Sequence, residues 1–213
     1  MLVAYLLYDR FTALDVTGPH DVLGSVPGVE SVFVGEEAGP YRNESDTLSL
    51  IADKSIDEVT APDVLVVPGG YGTRKLLDHA PLLDWIRAVD RETTWTTSVC
   101  TGALLLAAAG LLDGRPATTH WMSRDALGEL GADPVSDRVV FDGKYVTGAG
   151  VSAGIDMALE LVQKAYGPEI AQAVQLGIEY DPHPPQDAGA PEKAPREIVD
   201  VVAAVFRAEE AAA

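Results

Sequence analysis

The sequence contains very little cysteine and few histidines. Cys100 is the single cysteine in 213 residues, which excludes a disulfide within the chain and a metal site built from several cysteines. No histidine stands close to another along the sequence, as the paired histidines of zinc sites do; the four are His20, His79, His120 and His183. We therefore predict no bound metal and no cofactor, and a lone thiol suited to a reducing compartment.

Positive charge and long apolar runs are also scarce. The chain carries 15 Lys and Arg against 33 Asp and Glu, a formal net charge of -18, so most of its surface repels a phosphate backbone or an anionic membrane. No uncharged apolar run reaches about eighteen residues, and Met1 leads directly into a strand-like segment without a signal sequence. We expect a cytoplasmic protein that binds neither nucleic acid nor membranes.

Short apolar segments alternate with segments of helical period along the whole chain. Strands are predicted at residues 2–8, 31–34, 63–67 and 93–99, and their apolar or β-branched character is typical of a parallel sheet covered on both faces. Helices are predicted at 14–23, 76–89, 102–112, 124–130, 153–166, 168–178 and 196–209. With 47% apolar residues, residues 1–213 are predicted to form one α/β domain.

Smaller features of the second half complete the predicted order. A short strand is predicted at 117–119, and a hairpin formed by 138–141 and 145–147 turns at Asp142 and Gly143. Residues 180–195 are rich in Pro, Gly and Asp, so we predict a connecting loop there, either ordered or mobile.

Cys100 stands where a predicted strand runs directly into a predicted helix. The segment SVCTG at 98–102 has small residues on both sides of the cysteine, as a nucleophile elbow requires for its tight turn. A helix start also favours the thiolate, and such positions lower a cysteine pKa from about 8.5 to roughly 3.5–7.5. We predict a nucleophilic thiolate at the carboxyl end of the sheet, although a free cysteine is also a common buried core residue.

Several motifs together resemble the ThiJ/PfpI superfamily, whose fold is like that of the class I glutamine amidotransferases. They are FTALDVTGP at 11–19, VPGG at 67–70, SVCTGA at 98–103, THW at 119–121 and GVSAGID at 150–156. The resemblance covers nearly the whole chain and implies a flavodoxin-like three-layer sandwich with a mainly parallel central sheet. The segment QLGIEYDPHPP at 175–185 is similar to isonitrile hydratases in particular.

The resemblance also implies roles for individual residues. Asp15 matches the acid that these proteins hold beside their cysteine, although an aspartate before Gly-Pro is also a common helix cap or turn former. Gly70 and Thr101 match the positions whose backbone N–H groups form an oxyanion-hole-like pocket, and Gly150 is expected to line that pocket opposite Cys100. Thr101 stands where other branches carry His or Ala, which weakens a Cys–His pairing.

The sequence does not assign a chemical role to two further residues near this predicted pocket. His120 is the only histidine on a segment expected to reach the sheet crevice, and it is either a pocket residue or a structural histidine beside Trp121. Ser152 is expected to begin the next helix.

The function implied by the resemblance is the hydration of an isonitrile, a small molecule, to an N-substituted formamide, with Cys100 as nucleophile and Asp15 as acid. A homodimer with its site near the subunit interface is implied as well. Three alternatives stay open: a glyoxalase or deglycase of the same superfamily, a ligand-sensing domain like those of some AraC-type regulators, and a redox sensor in which Cys100 is oxidised.

Overall fold

A seven-stranded sheet forms the centre of the protein, whose structure is a computed structural model that describes residues 1–212. The strand order is β10-β11-β7-β6-β1-β2-β5, and all neighbours are parallel except the pair β10 and β11. The strands are β1 (Leu2–Leu6), β2 (Glu30–Gly35), β3 (Gly39–Arg42), β4 (Ser49–Ala52), β5 (Lys54–Ser55), β6 (Val64–Val67), β7 (Trp95–Val99), β8 (Pro116–Ala117), β9 (Asp133–Pro134), β10 (Val139–Asp142) and β11 (Tyr145–Gly148).

Eight helices accompany this sheet within residues 1–212. They are α1 (Ala13–Leu23), α2 (Thr73–Leu76), α3 (Ala80–Asp90), α4 (Gly102–Ala108), α5 (Arg124–Glu129), α6 (Ala153–Tyr166), α7 (Pro168–Gly177) and α8 (Arg196–Ala212). Helix α6 packs against both α1 and α7, while α2, α3 and α5 each contact α4 and form a second group around it. The predicted α/β class with a mainly parallel central sheet is confirmed.

The central strands are buried because helices cover both of their faces. All four residues of β6 are buried, and β1 is buried from Val3 to Leu6. Such strands contain apolar residues without alternation, since neither face meets water. Helix α4 is almost entirely buried as well, with Ala and Leu at six of its seven positions.

Most predicted element bounds differ from the observed ones by a few residues. The predicted helix 76–89 is observed as two helices, because α3 begins at Ala80 with Pro81 in its first turn. The predicted helix 102–112 ends at Ala108, since Gly110 adopts a φ of 76° just beyond it. The hairpin with Gly143 at its turn and helix α6 have nearly the bounds predicted for them.

An antiparallel hairpin, β3 and β4, lies in a region for which the sequence analysis predicts no element. Two backbone hydrogen bonds fasten its end to the loop after β1: Arg10 N donates to Arg42 O at 2.7 Å, and Glu44 N donates to Phe11 O at 2.9 Å. The hairpin therefore carries Glu44 to the carboxyl end of β1.

The last part of the chain consists of a loop followed by α8. Residues 180–195 contain neither helix nor strand, and α8 then returns to the carboxyl end of the sheet, where Phe206 contacts Tyr71 and His120. Among the helices of residues 1–212, none has the length and apolar character needed to cross a membrane.

Candidate active site

Three loops meet at the carboxyl ends of neighbouring central strands. Cys100 directly follows β7, Gly69 and Gly70 follow β6, and the loop after β1 leads to Asp15 in the first turn of α1. Thr12 N donates to Gly69 O at 2.8 Å and joins two of these loops. Open α/β sheets bind ligands at this edge.

Cys100 has a backbone conformation that is uncommon for residues other than glycine. Its φ is 57°, in the left-handed region that costs energy when a Cβ is present. Its N–H donates to the carbonyls of Gly148 at 3.0 Å and Ala149 at 2.8 Å, and its own carbonyl accepts from Thr119 Oγ1 at 2.8 Å. These bonds hold the turn between β7 and α4 in place.

Two glycines allow the loops to approach one another closely. A Cβ on Gly102 would lie 2.1 Å from Val67 O, and one on Gly69 would lie 2.5 Å from Thr101 N and 2.9 Å from Asp15 Oδ2. These distances leave no room for a side chain at either position. The carboxyl of Asp15 and the residue after Cys100 therefore meet across the backbone of Gly69.

The Asp15 side chain is buried beside Cys100. It is 0% exposed, its Oδ2 accepts from Gly69 N at 2.8 Å, and the carboxyl also interacts with the Cys100 thiol. Burial raises the pKa of this carboxyl well above its usual range; the bond from Gly69 opposes the rise, and the charge of Glu44 adds to it. These surroundings favour the protonated form of the carboxyl more than water does.

The Cys100 thiol is 5% exposed. Burial raises its pKa well above the usual value, and the carboxyl of Asp15, when ionised, raises it further, while N–H groups of Thr101 and Val151 oppose the rise. The predicted lowering of this pKa is therefore wrong. The N–H groups at the helix start do favour the anion, but the loss of solvation and the neighbouring carboxyl outweigh them.

Thr101 and Gly70 contact one another directly. Gly70 N donates to Thr101 Oγ1 at 2.9 Å, and the Thr101 hydroxyl lies 3.3 Å from Gly70 O, which also accepts from Thr73 Oγ1 at 2.8 Å. The Gly70 N–H predicted for an oxyanion hole thus has a partner in the Thr101 side chain. The Thr101 N–H, the other predicted donor, points to the Cys100 sulfur.

A cavity of about 140 Å³ opens above Cys100. Its lining residues come from seven separate segments of the chain; they are Thr12, Glu44, Gly70, Tyr71, Arg74, Cys100, Thr101, His120, Val151 and Phe206. Gly150, expected to line this pocket, instead borders a neighbouring cavity of about 350 Å³, because it packs against His120. Ser152 also borders that second cavity and immediately precedes α6, as predicted.

His120 forms an aromatic wall of the Cys100 cavity. Its ring stacks on that of Phe206 with centroids 4.9 Å apart and planes 10° from parallel. Burial lowers the pKa of His120 to about 4, and the charges of Arg74 and Arg124 lower it in the same direction. The imidazole is therefore neutral at neutral pH and carries no proton to donate as an imidazolium.

Several lining residues were absent from the sequence prediction. Thr12 lies within the motif at 11–19 and Tyr71 follows the motif at 67–70, although neither was given a role; Glu44 arrives through the unpredicted hairpin and Phe206 through the last helix. Thr12 Oγ1 donates to Glu44 Oε2 at 2.8 Å. Nothing in the sequence alone indicates that these residues face a cysteine that is many residues away.

Comparison with known proteins places the chain among relatives of the same architecture. A model of the DJ-1/PfpI family matches residues 1–164. The isonitrile hydratase of Pseudomonas putida is 46% identical over 198 residues, which cover 93% of this chain and 86% of that protein.

A solved structure and a regulator extend this comparison. The crystal structure of a ThiJ/PfpI family protein from Pseudomonas syringae superimposes with a TM-score of 0.94 and 35% identity, covering 98% of this chain and 87% of that one. The HTH-type transcriptional regulator CdhR of Pseudomonas aeruginosa is 36% identical over 140 residues, or 65% of this chain. The match spans only 41% of that regulator's length.

Proposed function

The chain belongs to the DJ-1/PfpI family, and from this membership we propose that it is an enzyme that hydrates an isonitrile to an N-substituted formamide. One observation carries the proposal: a thiol and a carboxyl, Cys100 and Asp15, are buried together below a small cavity, and burial raises the pKa of both. Hydration of an isonitrile needs a nucleophile and a proton donor at one carbon atom.

The first half of the reaction forms a covalent intermediate. Cys100 Sγ bonds to the terminal carbon of the isonitrile while the Asp15 carboxyl gives its proton to the same carbon. The thiol proton passes to Asp15 and restores its carboxyl group. The product is a thioimidate, S–CH=N–R, on Cys100. The N–H groups of Thr101 and Val151 favour the anionic sulfur, so they stabilise the negative charge that develops on Cys100 Sγ during this transfer.

The second half releases the product. Water adds to the thioimidate carbon, and one of its protons is transferred to the imine nitrogen. The C–S bond then breaks as the new C=O bond forms, and the sulfur takes up the hydroxyl proton. N-substituted formamide leaves, and the Cys100 thiol is regenerated without any net redox change.

The test is formamide formation by the purified protein supplied with an alkyl or aryl isonitrile, followed by NMR. We expect turnover in the wild type, no turnover in Cys100→Ala, and a loss of about 100-fold or more in Asp15→Asn, the range that general acid catalysis covers. Asp21→Asn, on an exposed position of the same helix, is the matched control and should retain full activity.

A wild-type protein that leaves isonitriles unchanged contradicts this function. Methylglyoxal, supplied without any cofactor in a parallel reaction, then tests the glyoxalase alternative. The remaining predictions belong to the same proposal: a small-molecule substrate, a cytoplasmic location, no nucleic-acid partner, and a homodimer that light scattering would detect.

A further inference from the structure

The second half of the proposed reaction needs a group that accepts a proton from water. The water must reach the thioimidate carbon from the cavity, because the other side of Cys100 is filled by packed protein. Asp15 is 0% exposed, and its Oδ2 is held by Gly69 N. It lies beside the sulfur, from where it can serve the carbon that bonds to Sγ, but it does not line the cavity from which the water attacks.

Glu44 is the carboxyl group that does line the cavity with Cys100. Its backbone N–H donates to Phe11 O at 2.9 Å, and its Oε2 accepts from the hydroxyl of Thr12 at 2.8 Å. Thr12 is itself 8% exposed, and its N–H is bonded to Gly69 O. The carboxyl is therefore held at a defined place on the solvent side of the site.

We propose that Glu44 is the general base of the second half-reaction, with Asp15 serving only the first. This inference rests on the proposed isonitrile hydration. The Glu44 carboxylate takes one proton from the water that attacks the thioimidate carbon and then gives it to the imine nitrogen. Glu44 ends each cycle unchanged, and the water supplies one oxygen and two hydrogens to the products.

The surroundings of Glu44 make its carboxylate a stronger base than an exposed one. Burial raises the pKa of its carboxyl; the bond from Thr12 and the charge of Arg10 oppose this, and the charge of Glu209 adds to it. A base is most effective when its pKa approaches the working pH. The charged or titratable groups around it are Tyr8, Arg10, Asp15, Tyr71, Arg74, Cys100, His120 and Glu209.

The experiment separates the two halves of the reaction with Glu44→Gln. Protein is mixed with a slight excess of an alkyl isonitrile, quenched at intervals, and analysed by mass spectrometry for the Cys100 adduct and by NMR for formamide. We expect the adduct to form at the wild-type rate, to accumulate, and to release formamide about 100-fold more slowly, the typical contribution of a general base. Asp15→Asn should instead slow adduct formation and accumulate none.

A pH series and a control variant sharpen the assignment. In the wild type, release from the adduct should accelerate as the pH rises through the pKa of Glu44, and Glu44→Gln should lose this dependence. Glu37→Gln, an exposed position just before the hairpin, should behave as the wild type does. Thermal unfolding of each variant reports whether the fold is intact. Glu44→Asp keeps a carboxylate at this position and should therefore release formamide faster than Glu44→Gln does.

Two results would overturn the proposal, and they differ from failure of the function itself. Wild-type turnover with an unaffected Glu44→Gln variant removes Glu44 from the mechanism. If the Cys100 adduct forms more slowly in Glu44→Gln and does not accumulate, Glu44 acts in the first half-reaction instead. A wild-type protein that forms neither adduct nor formamide overturns the proposed hydration and the role of Glu44 together.

Discussion

The inner and outer parts of the site are built in different ways. The inner part, Cys100, Asp15 and Thr101, is at most 5% exposed and lies where central strands end. The outer part, Glu44, His120 and Phe206, is only partly buried and comes from a hairpin, a loop and the last helix. The inner part contains the groups that make and break bonds, whereas the outer part decides what reaches them.

This contrast follows from how each part is held. Backbone hydrogen bonds and close glycine contacts fix the inner residues, so their positions change little without unfolding the turn at Cys100. The position of the Phe206 ring depends on its contacts with the rings of His120 and Tyr71. Helix α8 also carries Glu209, whose ion pair with Arg10 is long, at 3.9 Å, and partly exposed. Such ion pairs contribute about 0–1 kcal/mol.

The largest effect is expected where the inner part has no spare room, at Gly102. In Gly102→Ala the new Cβ would lie 2.1 Å from Val67 O, so the turn must shift. We expect a loss of about 1–3 kcal/mol in the free energy of unfolding, typical of overpacking. Formamide formation should fall by about 100-fold, since displacement of a reacting group by ~1 Å has that effect.

Chemical denaturation and the NMR assay measure these two losses. Gly177→Ala is the matched control, because nothing lies within 4 Å of its Cβ position at the end of α7. It should retain stability and activity. An active, fully stable Gly102→Ala would show that the inner part tolerates displacement and would remove the contrast between the two regions.

The inner part could be predicted from sequence because short-range rules determine it. A strand that runs into a helix at SVCTG and another that stops at PGG must bring Cys100 and Gly69 to one edge of a parallel sheet. The ionisation of Cys100 could not be predicted in this way. Local sequence shows the helix start that lowers its pKa, but it does not show the burial and the carboxyl that raise it.

The outer part could not be predicted because it depends on long-range packing. Glu44 reaches the cavity only because the hairpin β3–β4 bonds to the loop after β1. Phe206 reaches it only because α8 returns across the sheet after a loop without helix or strand. Gly150 illustrates the reverse case, since its motif suggests the Cys100 cavity but the residue borders the neighbouring cavity beside His120.

The pH dependence of Cys100 alkylation tests the ionisation of the inner part. Iodoacetamide reacts with the thiolate, so the rate should be low at pH 7 and should rise with a midpoint above the ~8.5 of a free thiol. Asp15→Asn removes a carboxyl whose ionised form raises the pKa of Cys100 and should therefore lower the midpoint. A fall of about one unit makes alkylation at pH 7 roughly tenfold faster.

Mass spectrometry of the single alkylated cysteine gives these rates, with Asp21→Asn again as the control. A wild-type midpoint below that of a free thiol would restore the thiolate predicted from the helix start. It would also remove the protonated pair from the proposed first step.

The smallest effect is expected at Phe206, because the outer part limits access without taking part in the chemistry. Phe206→Ala removes the ring that closes one side of the 140 Å³ cavity. Bulky isonitriles should gain kcat/KM relative to small ones by roughly threefold to tenfold, in the range that a few pocket methylenes discriminate. The rate with the smallest isonitrile should change little, because Cys100 and Asp15 keep their positions.

Val205→Ala separates this effect from a general loosening of α8. Val205 is the preceding residue of the same helix and is 58% exposed, so its truncation leaves the cavity wall intact and should leave selectivity unchanged. Alkylation of Cys100 by iodoacetamide and by a bulkier N-aryl reagent gives a second readout that is independent of turnover. Only Phe206→Ala removes part of the cavity wall, so only this variant should raise the preference for bulky over small reagents. If Val205→Ala raises that preference equally, mobility of α8 rather than the Phe206 ring controls entry to the cavity.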